Sequence, residues 1–193
     1  MLNKPTQRFN ANREWFHNDS PNVFFYGFIH MLAELRSIIR PGSKMIEIGS
    51  YMGESTMLFA CTQLFSEINT IEPFVGEEEF NQLFNYDWKY IKEQFICNTR
   101  YHRETIKLHE GLSYNLADKF QDSAFDFIYI DGSHKEEDIE RDLQLFLPKL
   151  KPGGIIAGHD YVEAWPGVIR AVNNKIGTPD MVFEDTSWFK TIY

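Results

Sequence analysis

The sequence predicts an α/β domain, a doubly wound and mostly parallel sheet with one antiparallel strand near the C-terminus, preceded by an N-terminal helix. Three observations predict it. From Lys44 onward, short apolar runs alternate with longer segments of three- and four-residue apolar period, as parallel strands and their crossover helices do. Two strand-like segments close the chain, separated by the turn residues Asp185-Thr186, which brings in an antiparallel strand at or near an edge. The chain has 193 residues, 43% hydrophobic and 24% charged, the size and composition of one ordinary globular domain rather than of a disordered or low-complexity protein. A single domain is expected, residues 1–41 forming a tail and helix and residues 42–193 the core.

The helix is expected to begin at Ser20-Pro21, a cap followed by proline at the first helical position. Phe24, Phe25, Phe28, Met31, Leu32, Leu35 and Ile39 then recur on one face until Pro41-Gly42 stops them. The strand-like runs are Met45–Ile48, Thr70–Ile71, Ile106–His109, Phe125–Ile130, Ile155–Gly158, Met181–Glu184 and Trp188–Ile192. Helical periods lie at about Ser55–Phe65, Glu77–Phe95, Ser113–Lys119, Glu136–Leu150 and Val168–Ile176, with Pro152-Gly153-Gly154 read as a turn before the fifth strand. The stripe Phe80, Phe84, Trp88, Ile91, Phe95 is a candidate surface for a homo-oligomer.

Composition narrows the function. A formal charge of −9 argues against a grip on a phosphate backbone, so no nucleic-acid partner is expected. No apolar run approaches the roughly 20 residues that span a bilayer, and the start MLNKPTQRFNANREW has no apolar signal core, so a cytoplasmic protein without a membrane partner is expected. Cys61 and Cys97 fit a reducing compartment and are read as packing residues.

In an open parallel sheet, ligands bind outside the carboxyl ends of the strands. The first such end reads Glu47-Ile48-Gly49-Ser50-Tyr51-Met52-Gly53-Glu54-Ser55-Thr56. Gly49 and Gly53 would let backbone approach a ligand, and Ser55 and Thr56 can bond the free amides of the helix start. The segment lacks both the dinucleotide glycine pattern and the lysine of a phosphate loop. Glu72 ends the second strand, where a carboxylate commonly receives two ribose hydroxyls, so a nucleoside without phosphate is implied. Asp131 follows the fourth strand with His134 three residues on, and the fifth ends Gly158-His159-Asp160-Tyr161. If these strands are neighbours, Asp131 and Asp160 emerge side by side and, with the histidines, can hold a hard cation such as Mg²⁺. His134 or His159 can instead take a proton from a hydroxyl. Read structurally, Asp131 caps the next helix and His159 is a hydrogen-bonded rim residue.

These motifs resemble the class I methyltransferases that use S-adenosylmethionine, a Rossmann-like fold. The stretches Ile-Asp-Gly-Ser-His, Leu-Lys-Pro-Gly-Gly, Gly-His-Asp-Tyr and Pro-Gly-Val-Ile-Arg-Ala-Val resemble the branch that holds macrolide-sugar and catechol-type O-methyltransferases. The likeness covers about residues 42–192. It implies an enzyme that methylates a hydroxyl of a small molecule (a sugar, phenol or natural product), with S-adenosylmethionine as cofactor and Mg²⁺ assisting. It assigns Glu47, Gly49, Ser50, Gly53, Ser55, Glu72 and Asp131 to the cofactor, Gly111 and Ser113 to its adenine end, Asp131 and Asp160 to the metal, and His134, with Asp131, to catalysis. Tyr161 stands where related enzymes place a second Asp or Asn. Trp165, Tyr51 and Met52 are acceptor-pocket candidates. The alternatives are a non-catalytic S-adenosylmethionine-binding module and a nucleic-acid methyltransferase, the latter opposed by the charge and by the lack of an Asn/Asp-Pro-Pro-Tyr segment.

Overall fold

The computed structural model describes residues 23–76 and 87–193, with the backbone alone for residues 23–25. Helix α1 (Val23–Ile38) leads into β1 (Ser43–Ile48), α2 (Glu54–Cys61) and β2 (Phe65–Glu72). Then come α3 (Trp88–Thr99), β3 (Ile106–Glu110), α4 (Ser113–Leu116), β4 (Phe125–Ile130), α5 (Glu136–Phe146) and β5 (Leu150–Gly158). Helix α6 (Pro166–Ile176), β6 (Met181–Val182) and β7 (Trp188–Thr191) complete the chain. The strands form one seven-stranded sheet in the order β3-β2-β1-β4-β5-β7-β6. All pairings are parallel except those of β7, which runs against both β5 and β6. Strand order reverses between β1 and β4, and the crevice over that reversal is where an open α/β sheet accepts a ligand.

Side-chain alternation divides the core in two. Met45, Ile68, Phe127 and Tyr129 face α1, α2 and α3, where Phe59 meets Phe28, Phe127 and Tyr129 edge to face at 5.2–5.6 Å between ring centroids. Ile46, Ile128 and Ile130 face the opposite layer, closed by Leu116, Leu143, Phe146, Val168 and Val172. The underside of α1 presses on the β6–β7 hairpin: a Cβ on Gly27 would stand 2.2 Å from the Asp185 amide nitrogen.

Several boundaries differ from the periodicity. Helix α2 ends at Cys61 because Gln63 turns the chain with φ 59, and β2 therefore starts at Phe65, well before Thr70. Its Asn69 disguised the strand; buried here, it bonds Glu67 Oε1 at 2.9 Å. Helix α5 gives way to a tight 3-10 turn at residues 147–149 because Pro148 has no amide proton to continue the ladder. Pro152-Gly153-Gly154 lies inside β5 as an irregularity in its pairing with β4, with Gly153 N bonded to Ile192 O, rather than forming a turn before the strand.

Ser20-Pro21, Glu77–Glu79, Phe80 and Phe84 lie outside the described residues. Of the apolar stripe proposed for self-association, Ile91 and Phe95 are spent in the chain's own core. Cys61 and Cys97 are exposed free thiols, not packing residues; their sulfurs lie beside His102 and Arg100. No helix among the described residues is long and apolar enough to cross a membrane.

Candidate active site

A cavity of about 570 Å³ opens along the carboxyl ends of β3, β2, β1, β4 and β5. This is the size and position of a small-molecule site in such a sheet. Gly49, Ser50, Ser55, Glu72, Ser113, Asp131, His134 and Asp160 all line it, as do the acceptor candidates Tyr51, Met52 and Trp165. Glu47, Gly53 and Gly111 do not; Gly111 bonds Glu72 O through its amide at 3.2 Å.

Glu47 is wholly buried beneath the β1 loop. Ser55 Oγ donates to its Oε1 at 2.6 Å and Thr56 Oγ1 to its Oε2 at 2.5 Å. These hydroxyls therefore serve the carboxyl rather than the helix amides, and Gly53, the N-cap of α2, gives no side-chain cap. Burial raises the Glu47 pKa to about 7, against the pull of those hydroxyls. Gly53 adopts φ 77 with Phe95 where its Cβ would be. At Gly49 (φ 83), the Cβ position lies 2.1 Å from Asp131 O, so its missing side chain lets β1 and β4 close beside the cavity.

Glu72 is 7% exposed and faces the cavity with most of its acceptor capacity used. Its Oε2 accepts from Ser50 N (2.9 Å) and Tyr51 N (2.8 Å), and its Oε1 from Phe74 N (2.9 Å). A carboxylate has about four lone-pair sites, so one remains for the cavity while the other three shape the loop. Beside it, the Ser50 hydroxyl is buried with no hydrogen-bond partner among the described residues. A buried hydroxyl left unpaired at a cavity wall is costly and suits a polar ligand.

At the β3 end, Ser113 donates to Asp142 Oδ1 at 2.5 Å. Burial raises Asp142 to about 6. Asp142 escaped the sequence reading because it occupies the polar-looking part of an amphipathic helix; only its Ser113 contact reveals it. Glu54 also lines the cavity, raised to about 7 by burial, with no partner among the described residues.

Strands β4 and β5 are neighbours, Ile130 opposite Gly158, and bring Asp131 and Asp160 together. Helix α5 starts at Glu136 with Lys135 as N-cap, so Asp131 caps nothing. Its carboxylate opens onto the cavity, but the surrounding walls strip its hydration and raise its pKa. Asp160 has φ 61, a left-handed conformation in which a non-glycine residue is uncommon. Its Oδ2 lies 2.8 Å from His134 Nε2 and its Oδ1 3.2 Å from His159 Nδ1. Burial opposes its ionisation, but the two imidazoles prevail and hold it well below the carboxylate range. Burial likewise opposes a charge on His159, yet Asp160, Asp131 and Asp185 raise it to about 9. The His134 ring stacks on Trp165 with centroids 4.1 Å apart.

The chemistry of this donor set suits a divalent cation. Ligand atoms of Asp131, His159 and Asp160 all lie within 4.8 Å of one another. The third member precedes Asp160 instead of following it. Tyr161 bonds Asn173 Oδ1 through its hydroxyl, away from the cluster.

A family model described as a methyltransferase domain matches residues 46–161. The chain belongs to this methyltransferase-domain family. An uncharacterized protein of Sinorhizobium fredii, y4gI, is 26% identical over 134 residues, 63% of this chain; the chain spans about 13% of that relative's length. Solved structures share the fold. CalS11, a TDP-rhamnose 3'-O-methyltransferase of calicheamicin biosynthesis, has a TM-score of 0.57 at 16% identity, covering 99% of this chain and 96% of its own. An O-methyltransferase from Bacillus cereus in complex with S-adenosylhomocysteine scores 0.61 at 17% identity, covering 97% and 88%. TomG from Streptomyces achromogenes, an O-methyltransferase of tomaymycin synthesis in complex with S-adenosylmethionine, scores 0.60 at 16% identity, covering 100% and 91%.

Proposed function

We propose that this chain is a cytoplasmic, S-adenosylmethionine-dependent O-methyltransferase acting on a hydroxyl of a small molecule. One observation carries the reading: a single cavity holds an unpaired, buried Ser50 hydroxyl at the β1–β2 end and the Asp131/His134/Asp160 cluster at the β4–β5 end. The family membership supports it, as do the activities of CalS11 and TomG. The charge of −9 favours a small acceptor over nucleic acid.

In this reading, Ser50, the remaining acceptor site of Glu72 and Ser113 hold the nucleoside, while Tyr51, Met52 and Trp165 wall the acceptor. When bound, S-adenosylmethionine supplies an electrophilic methyl on a sulfonium. Methyl transfer is an in-line displacement, so the residues act mainly by aligning the acceptor oxygen and excluding water. His134 is the base. Asp160 Oδ2, 2.8 Å from the His134 Nε2, would stabilise the imidazolium formed when His134 takes the acceptor proton. Asp131 and Asp160 would contribute to an ion site, where a cation would favour the alkoxide form of the acceptor.

Titration calorimetry with S-adenosylmethionine and S-adenosylhomocysteine, followed by methyl release onto hydroxylated sugars and phenols, tests the reading. Binding and release are expected. Binding without release onto any acceptor points to a non-catalytic module, and absence of binding removes the proposal.

A further inference from the structure

The ion cluster departs from an all-oxygen set, because its third donor is an imidazole. His159 Nδ1 lies 3.2 Å from Asp160 Oδ1. That is close to the spacing of about 3 Å that two adjacent ligands adopt when bonded at right angles to one ion at about 2.1 Å. Asp131, across the β4–β5 pair, turns a carboxylate with no hydrogen-bond partner among the described residues toward the same space. The left-handed backbone at Asp160 is braced by Tyr161 N bonding Thr186 O at 3.1 Å, and Trp188 Nε1 donates to His159 O at 3.3 Å.

The far side of His159 fits the same assignment. Asp185 is wholly buried, and its Oδ1 accepts from Ser187 N and Ser187 Oγ at 3.1 and 2.6 Å. Its Oδ2 has no hydrogen-bond partner among the described residues and stands 3.8 Å from His159 Nε2. An imidazole that binds metal through one nitrogen almost always donates its other N–H to a carboxylate or carbonyl, which fixes the tautomer. Asp185 Oδ2 is the carboxylate oxygen placed to take that N–H.

We propose that Asp131, His159 and Asp160 form a one-imidazole, two-carboxylate site for a first-row transition ion of the Mn²⁺ or Fe²⁺ kind in preference to Mg²⁺, with Asp185 positioning His159. Mg²⁺ demands oxygen ligands and near-ideal octahedral geometry, whereas an imidazole nitrogen shifts a site toward the transition series. The inference rests on the proposed function only for what the ion would do in methyl transfer. Binding itself is measured without cofactor or acceptor.

The test is Mn²⁺ and Mg²⁺ titration of the full chain, with electron spin-echo spectroscopy of bound Mn²⁺. Wild type is expected to bind Mn²⁺ more tightly than Mg²⁺ and to show nitrogen coupling from a directly bound imidazole. H159D, which restores an all-oxygen set, should lose the nitrogen signal and narrow the Mn²⁺/Mg²⁺ affinity ratio by about tenfold or more. D185N should keep the nitrogen signal but weaken Mn²⁺ by about tenfold or more. Absence of Mn²⁺ binding, Mn²⁺ binding without nitrogen coupling, or an unchanged ratio in H159D overturns the site; unchanged Mn²⁺ affinity in D185N overturns the role of Asp185. If H159D does not fold, the wild-type nitrogen signal and ion preference still decide. S-adenosylhomocysteine binding in excess EDTA reports separately on the proposed function.

Discussion

Glu47 is a buried carboxyl with a pKa of about 7, and its replacement by glutamine ties that burial to a measurable pH dependence. The folded state holds the proton more tightly than the unfolded chain, where the value is about 4.5. The sign follows directly. The stabilisation is complete below the unfolded pKa, declines as pH rises between the two values, and is gone above the folded one. Two and a half pKa units correspond to about 3 kcal/mol in all, and to about 2.5 kcal/mol between about pH 5 and pH 8.

Glutamine mimics the protonated acid. Its carbonyl accepts from one of the Ser55 and Thr56 hydroxyls while the other hydroxyl rotates to accept from the amide. Urea unfolding of wild type and E47Q across this range isolates the group, because every other titration is common to both proteins. The stability of E47Q relative to wild type should therefore rise with pH by about 2 to 3 kcal/mol. A difference between the two proteins that is flat with pH would refute the account of Glu47 as a proton-holding brace.

Three further outcomes follow from other contacts. G49A places a Cβ against Asp131 O in a left-handed backbone, and should cost about 3 kcal/mol or more, visible as a lowered melting temperature; an unchanged melt would mean that β1 and β4 are less tightly apposed. S50A removes an unpaired hydroxyl, so stability should change by less than about 0.5 kcal/mol while S-adenosylhomocysteine affinity falls about fivefold by calorimetry; equal affinity would separate Ser50 from the ligand. H134A should reduce methyl transfer about 100-fold or more with nearly unchanged S-adenosylhomocysteine affinity; a full rate would remove His134 as the base.

Strand-level features were readable because β1 and β4 are rich in apolar and aromatic residues, and Phe125–Ile130 matches its element end to end. The pairing of β4 with β5, and thus the meeting of Asp131 with Asp160, follows from that topology. Features set by long-range contacts were not readable. Nothing near Ser55 in the chain announces that it will serve Glu47, and nothing near Glu72 that three backbone amides will consume its lone pairs. His159 was legible as a histidine at a strand end, but its partner Asp185 sits in a hairpin whose sequence reads only as a turn. The glycines illustrate the same limit: positive φ was predictable, whereas the protein atoms filling their open sides were not.

The close approach of Gly27 to Asp185 makes the first helix the ceiling of that hairpin. A shortened version beginning at the first strand would strip Phe28, Met31 and Leu35 from the layer around Phe127, uncover a carboxylate now sealed from water, and loosen the loop that backs His159. Helix α1 is therefore a poor place to trim, however dispensable an N-terminal helix looks from the sequence.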